Sequence, residues 1–533
     1  MRPTIHRPGG PFMSAAYQQT PTIAAGFSLA REVFEQMVDH LESPLALSTT
    51  HEELEEYLTL KGREVQRRML QAHLDLRGAA ERPVRVVGAD EVERGERRRS
   101  MRGLMSLLGE VLVPRLIYQA MGVASMAPMD ASLNLPADSF SLGVRRCVAE
   151  DVSSGSFDDA VERVCDRTGA KIAKRQVLEL ARRAAVDFEA FYATRPANDA
   201  SAEELLLVLS FDGAGIVVRK ADLRAATRQA AERQEADARF PPKRLSKGQK
   251  RNHKRMAQVA AIYGIAPFVR EPEDILRDLR PVQDATPKTP RPKPVDKRVW
   301  ASIELESGQV IDNAFQEALR CDPEGRRPWV VLVDGNRTQL AQVRMAAARA
   351  EVEITVVLDI IHVLEYLWKA AYCFHKEGSK EAETWVHKRL LMLLRGAAAS
   401  DVAAGMRRSA TLKKLTKRGA VDTCAAYLCK YKDLLHYSEA LAAGLPIATG
   451  VIEGACRYLV RDRMDKTGAR WSLLGAEAVL KLRALRRNGD WEAYWKFHVR
   501  AEHQRNHASR YAAGLVPDPL PMETPKPQLR RVK

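Results

Sequence analysis

Apolar and polar positions alternate in several distinct rhythms along this chain. From 29 to about 71 the apolar residues recur at helical spacing among dense charge, as in LAREVFEQMVDHLES and LEEYLTLKGREVQRRMLQAHLDL. Short apolar runs at 85–87 and 109–118 (GEVLVPRLIY) predict strands, and ERGERRRSMR between them reads as a solvated loop or a phosphate contact. Residues 139–192 return to helical spacing. SFDDAVERVCDR, capped by Ser156 and closed at Gly169, and AKRQVLELARRAA predict two short helices joined by a tight turn. Such a pair fits a helix-turn-helix whose second helix opens on Lys174, Arg175 and Gln176, and it equally fits a plain helical bundle.

At Leu205 the texture changes. LLLVLSFDGAGIVVRK predicts a buried strand carrying Asp212, and 258–265 another strand; 300–305 and 310–315 look like further strand material. The stretch 328–362, PWVVLVDGNRTQLAQVRMAAARAEVEITVVLDIIH, predicts strand, helix, strand, each strand closing on an aspartate, Asp334 and Asp359. Open α/β sheets bind ligands at the carboxyl ends of their strands, so these aspartates stand where chemistry would be done. After His362 the spacing is helical for nearly ninety residues, GLPIATG interrupts it, and helices resume at about Val451.

Composition adds a partner. With 533 residues the chain has room for two or three domains, and a net charge of +16 with a pI near 9.5 favours a polyanion. From Lys243 to Arg255 there are seven basic residues (Lys243, Arg244, Lys247, Lys250, Arg251, Lys254 and Arg255) and no acidic one. That run reads as a solvated arm or as a phosphate-gripping loop. Residues 267–298 carry seven prolines among charges, marking an insertion or linker. No stretch approaches the roughly 20 apolar residues of a spanning helix, and no signal peptide is evident, so a cytoplasmic protein without membrane partners is expected. Seven scattered cysteines show no zinc spacing and read as reduced structural thiols.

Three carboxylates stand out by position: Asp212 and Asp334 each end a strand, and Glu453 lies in the first turn of a helix. Carboxylates suit Mg²⁺, and two ions roughly 3.5–4 Å apart can serve an in-line phosphoryl displacement. Each residue also has an ordinary reading. A strand-end Asp beside Gly is often a turn residue, and Glu453 has Arg457 and Arg461 at helical spacing for an ion-pair ladder.

The ordered set SFDGAG, VVLVDGN, LDIIHVLEYLW, TGVIEGACRYLVRDRMDKTGARWS and GAEAVLKLRALRRNGDWEAYW resembles the DDE transposases of bacterial insertion sequences, in particular the ISKra-four group, and more distantly the Mutator-like transposases. The resemblance covers roughly 139–503. It implies an α/β fold with an RNase H-like, mixed five-stranded catalytic core, an all-helical insertion, and a mainly helical N-terminal DNA-binding region. The expected division is a disordered 1–25, a helical region 26–200 with the helix-turn-helix near 156–185, core 201–362 with an insertion at 219–298, helical insertion 363–448, core 449–503, and a disordered basic tail 504–533.

By the same resemblance Asp212, Asp334 and Glu453 are the catalytic, metal-holding residues, binding two Mg²⁺ for which Mn²⁺ can substitute. Asp359, His362, Arg457 and Trp471 support them. Arg463 and Arg470, with Lys174, Arg175, Gln176 and the basic run, would contact DNA. The implied activity is cleavage at the element's terminal inverted repeats followed by attack of the freed 3′-OH on target DNA, in an oligomer of at least two chains associated with the nucleoid. A DNA-binding regulator that no longer cuts, and a nuclease without strand transfer, are the alternatives. The chain departs from the pattern once: QAMGVASMAP lacks the Cys pair that some relatives carry after the tyrosine matching Tyr118, which argues against a zinc knuckle.

Overall fold

The computed structural model describes residues 26–195, 204–237, 253–279, 290–466 and 468–520. Lys243, Arg244, Lys247, Lys250 and Arg251, and the expectations of disorder at 1–25 and 521–533, lie outside the described residues. The described chain forms two units, one from 26–151, 157–177 and 496–520, the other from 152–156 and 178–495.

In the first unit a 30-residue helix, His51–Ala80, starts at a capping box: Thr50 Oγ1 accepts from Glu53 N, and Thr50 N donates to Glu53 Oε2 (2.9 Å). Beside it lies an antiparallel ribbon, β1 (Glu96–Ser106) and β2 (Gly109–Gln119), in unbroken register from Glu96↔Gln119 to Ser106↔Gly109. Helix and ribbon approach so closely at Gly78 that an added Cβ would lie 2.6 Å from Pro114. Leu74, Leu104, Val111, Val113 and Leu135 fill the space around this contact.

The expected loop over ERGERRRSMR is therefore wrong, since most of it is β1. An arginine run carries no alternation, and the strand is imposed by pairing with apolar β2. At 85–87 only isolated bridges form, Val87↔Glu93 and Gly88↔Tyr511. The disordered tail is corrected as well, because 504–520 is ordered. Tyr511, 3% exposed, packs with Val86, Leu116, Tyr118 and Met126, an anchor hidden among polar residues. The two helices expected over 156–185 form as Phe157–Thr168 and Lys174–Ala184, with Gly169 (φ 68°) turning the chain out of the first.

The second unit is built on a five-stranded mixed sheet: β3 (Leu206–Val217), β4 (Lys254–Ile265), β5 (Val295–Ser302), β6 (Trp329–Val333) and β7 (Ile354–Leu358), in the order β5-β4-β3-β6-β7. The pairs β3–β4 and β4–β5 are antiparallel, whereas β3–β6 and β6–β7 are parallel. The parallel strands read as continuous apolar runs because both faces are covered, and β6 is buried throughout. The edge of β5 is blocked by side chains. Asn488 exchanges two hydrogen bonds with Val299, and Glu477 Oε2 accepts from Ile303 N at 2.8 Å.

The strand expected at 310–315 is instead part of the helix Ser307–Cys321. Its buried Val310, Ile311, Ala314, Phe315 and Ala318 follow helical spacing, which a six-residue window of apolar residues hides. Between β7 and Glu453 the chain is helical, with Ile360–Ala371, Lys380–Leu394, Ala399–Leu412, Gly419–Lys430 and Tyr437–Ala442. No helix of the described residues is long and apolar enough to cross a membrane.

Candidate functional site

The register of β3 and β6 sets the first two carboxylates. Ser210 lies opposite Leu332, the last pair of the two parallel strands, and Asp212 and Asp334 each follow two residues later; contrary to expectation, Asp212 does not end its strand. Asp212 remains within β3, which runs on against β4, while Asp334 begins the turn after β6. Asp212 Oδ1 accepts from Gly213 N (2.6 Å), and Asp334 Oδ1 accepts from Asn336 N (2.8 Å).

Glu453 is carried on the short helix Gly450–Ala455, which continues into a π-helical turn over Cys456–Arg461. Its position over β3 is fixed three residues on, where the buried Cys456 thiol donates to Asp212 Oδ2 at 3.2 Å. Glu453 and Cys456 are one helical turn apart, so the same face that touches Asp212 presents Glu453. The Glu453 carboxyl is held above its ordinary pKa by partial burial, then by the charges of Asp359 and Asp212, with His362 opposing. Its ion-pair ladder is not formed: Arg457, exposed, turns to Asp462 at 3.8 Å.

Asp359 caps the helix Ile360–Ala371 and is fully buried. Its Oδ1 accepts from Ile361 N (3.1 Å) and Thr449 N (3.2 Å), its Oδ2 from Thr449 Oγ1 (2.5 Å) and His362 Nδ1 (2.9 Å). Asp359 thereby ties β7 to the segment just before Glu453. His362 lies in the first turn of a helix rather than at the end of a strand. Its pKa is raised by the bond to Asp359, against burial, and by the charges of Asp359 and Asp334.

A second support comes from the helical stretch. Tyr427 and Tyr431, four residues apart, donate their hydroxyls to the carbonyls of Asp334 (3.1 Å) and Gly335 respectively. Tyr366 stacks on Tyr427 with centroids 4.0 Å apart. Gly335 has φ 92°, and an added Cβ would meet both tyrosines at 3.2 Å. Thr449, Cys456, Tyr427 and Tyr431 were not singled out from sequence. Thr449 and Cys456 lie within TGVIEGAC, but nothing local relates the tyrosines to a turn some ninety residues earlier.

The basic residues scatter. Arg463 is corrected: it is 6% exposed, lies over the Trp471 ring at 4.7 Å and donates to Val152 O at 3.1 Å, so it is packed beneath the surface and unavailable to DNA. Arg255 spends its guanidinium on the carbonyls of Ile303, Asp222 and Glu304, which also removes it from a DNA-facing role. Trp471 extends β3, its N donating to Val217 O and its O accepting from Arg219 N. Lys254 pairs with Asp465 (3.1 Å), Lys174 pairs with Asp158 (2.6 Å), and Gln176 accepts from Ala173 N (2.9 Å). Arg175 and Arg470 are exposed.

Among the described residues no Lys or Arg pairs with Asp212, Asp334 or Glu453, and the three do not close into a cluster with ligand atoms all within 4.8 Å. Hard, oxygen-only donors in a frame wider than a single-ion cluster fit divalent cations that keep part of their water. No protein-family model matches the sequence, and no curated protein matches it. Among solved structures the chain is similar to a Drosophila P element transposase strand transfer complex, at 9% identity over 70% of this chain and 82% of that chain, with a TM-score of 0.20. A likeness at that score carries no argument here.

Proposed function

We propose that the chain is a DNA transposase of the DDE type, cleaving and joining DNA with Asp212, Asp334 and Glu453 as its metal-holding carboxylates. The observation that carries this reading is that Asp212 on β3 and Glu453 on its helix lie close enough to act on one another by charge, that Asp334 opens the turn after the neighbouring β6, and that among the described residues none of the three pairs with a lysine or arginine. Carboxylates brought together repel one another, and a bound cation would relieve that repulsion. Mg²⁺ held there would supply Lewis-acid stabilisation of charge on a phosphodiester during in-line displacement.

The remaining steps belong to the chain itself. Asp359 fixes Thr449 and with it the start of the helix bearing Glu453. It also engages His362 Nδ1, leaving Nε2 to face a departing 3′-oxygen. Asp334 is set by its own turn, clamped by two tyrosine hydroxyls. In the first reaction water displaces the 3′-oxygen at the element's end; in the second, that 3′-OH attacks a target phosphodiester. Neither needs a covalent protein intermediate. The spread of basic charge supports duplex DNA as the substrate, and holding two DNA ends calls for at least two chains.

The test is incubation of the purified chain with DNA flanking its own gene, with Mg²⁺ or with a chelator, mapping cut ends and joined products. Metal-dependent cuts at the element's ends that vanish in Asp212→Asn and Glu453→Gln are expected. Cutting at the wild-type rate by either variant refutes the assignment. Cuts without joined products would make the chain a nuclease.

A further inference from the structure

The first unit holds a cleft of about 580 Å³ that Asp212, Asp334 and Glu453 do not line. Residues opposite one another in an antiparallel register share a face. Arg98 and Ile117, Ser100 and Arg115, and Arg102 and Val113 therefore stand on one side of the β1–β2 ribbon. Arg102, Arg115 and Ile117 line the cleft from that side, and Arg505, Arg510 and Tyr511 line it from the C-terminal segment.

The charges here do not balance. In the floor, Arg102 and Arg115 share one carboxylate, Asp130, at 3.0 and 3.2 Å, and the three side chains are only 16, 13 and 15% exposed. The other contacts of Arg102 are neutral carbonyls, Pro136 O and Asp138 O. At the rim, Arg505 pairs with Glu502, which also serves the buried Arg145. Arg510 donates to Ser125 O, again a neutral group. Arg98 is exposed and has no acidic partner among the described residues. Two guanidiniums face one carboxylate, Asp130, and the buried Glu81 beside Arg115, whose carboxyl is pushed up to about 7, offsets them only in part, so a net positive charge projects into the cleft more strongly than it would in open water.

We propose that this cleft docks the phosphodiester backbone of duplex DNA. Arg98 and Arg102 are four strand residues apart, roughly 13 Å. A single small anion does not bridge that distance, whereas a repeating polyanion does. The arginines would grip phosphate, so they hold DNA without reading its sequence. The proposal rests on the transposase reading only for the choice of DNA, and it moves the main grip from the helix pair at 156–185 to the arginine ribbon.

The experiment is equilibrium binding of the full chain to a fluorescent duplex over a range of salt, without Mg²⁺ so that no cutting occurs. Arg98→Ala/Arg505→Ala/Arg510→Ala should weaken binding about tenfold or more near 0.1 M salt, equally for cognate and scrambled duplexes. Its log–log salt slope should fall by about one for each phosphate that the variant no longer neutralises. The matching triple Lys variant should keep the slope, which separates removal of charge from misfolding. An unchanged slope in a folded Ala triple overturns the proposal, as does a weakening that appears only in Lys174→Ala/Arg175→Ala. So does stabilisation of the chain by inorganic phosphate with DNA binding untouched. If the slope falls while no cleavage is ever found, the transposase reading fails and the docking surface stands; cleavage with an unchanged slope has the reverse meaning.

Discussion

Asp359 and Asp130 are both closely engaged carboxylates, and they are used in opposite ways. Asp359 is fully buried and accepts from two amides, one hydroxyl and one imidazole, none of them a permanent cation. Asp359 and Asp212 act by charge on Glu453, and Asp359 and Asp334 on His362, so the sheet mouth gathers acidic groups without a lysine or arginine partner among the described residues. Asp130 is shared between two arginines, with further arginines at the rim, so the cleft carries surplus positive charge. A protein can settle such surpluses internally, as Arg94 and Asp90 do, one guanidinium to one carboxylate, elsewhere in the first unit. Where it does not, the missing charge comes from outside. On the two proposals the mouth would take a cation and the cleft a polyanion, and the two should respond oppositely when charge is removed.

The sharpest break is at the mouth. Asp334→Asn should lower cleavage by about 10⁴-fold, as losses of groups in a catalytic constellation do. Asp359→Asn, which disturbs only the holding bonds, should cost about 10–100-fold, with a weaker Mg²⁺ response. Rates over a Mg²⁺ titration check both, and equal, complete losses would erase the distinction between them. At the cleft the corresponding change is Asp130→Asn. It strands two guanidiniums, so it should destabilise the fold by about 3–5 kcal/mol in denaturant melts. Added polyanion should recover part of that loss if the surplus charge is what hurts. An Asp130→Asn chain as stable as wild type would mean that Arg102 and Arg115 are already satisfied without it.

The two regions were not equally legible in the sequence. β3, β6 and β7 were readable because they are continuous apolar runs, and Asp334 and Asp359 follow directly on β6 and β7. That Asp212 and Asp334 each come two residues after the last pair of β3 and β6 follows from pairing, which no local pattern records. Of the cleft, only the option of a phosphate contact within ERGERRRSMR was legible. ERGERRRSMR looks like a loop until β2 pairs with it, and Tyr511 looks like tail until Val86 and Tyr118 surround it. Arg463 was misread for a related reason: an arginine in a basic helix reads as surface, and only its packing over Trp471 shows otherwise.

A smaller effect probes the cleft from beneath. Glu81 is 5% exposed and accepts from Leu116 N at 2.7 Å, and burial pushes its carboxyl up to about 7 despite that bond. Its neighbours by charge are Arg99, Asp130 and Arg115. The folded state thus keeps this proton to about pH 7, whereas the unfolded chain releases it near the ordinary value of 4.5. The folded state binds more protons in that window, so stability falls as pH rises through it and levels off above. The loss is on the order of 3 kcal/mol. Glu81→Gln should flatten this fall, read as melting temperature against pH. A variant that keeps the full slope would place the titrating group elsewhere.

The smallest effect expected distinguishes holding from catalysis at the mouth. Tyr427→Phe/Tyr431→Phe removes two hydroxyls that touch only backbone carbonyls, so folding should change by about 1 kcal/mol for each bond. The turn they clamp carries Asp334, with Gly335 at a positive φ that leaves little tolerance. Loosening it should lower the cleavage rate about tenfold and move the Mg²⁺ midpoint upward, while DNA affinity stays at the wild-type value. Gly335→Ala, which pushes the same tyrosines away from the other side, should reproduce that pattern. If rate falls without any shift in the Mg²⁺ midpoint, the tyrosines act on something other than the placement of Asp334, and the mouth is then held by Asp359 alone.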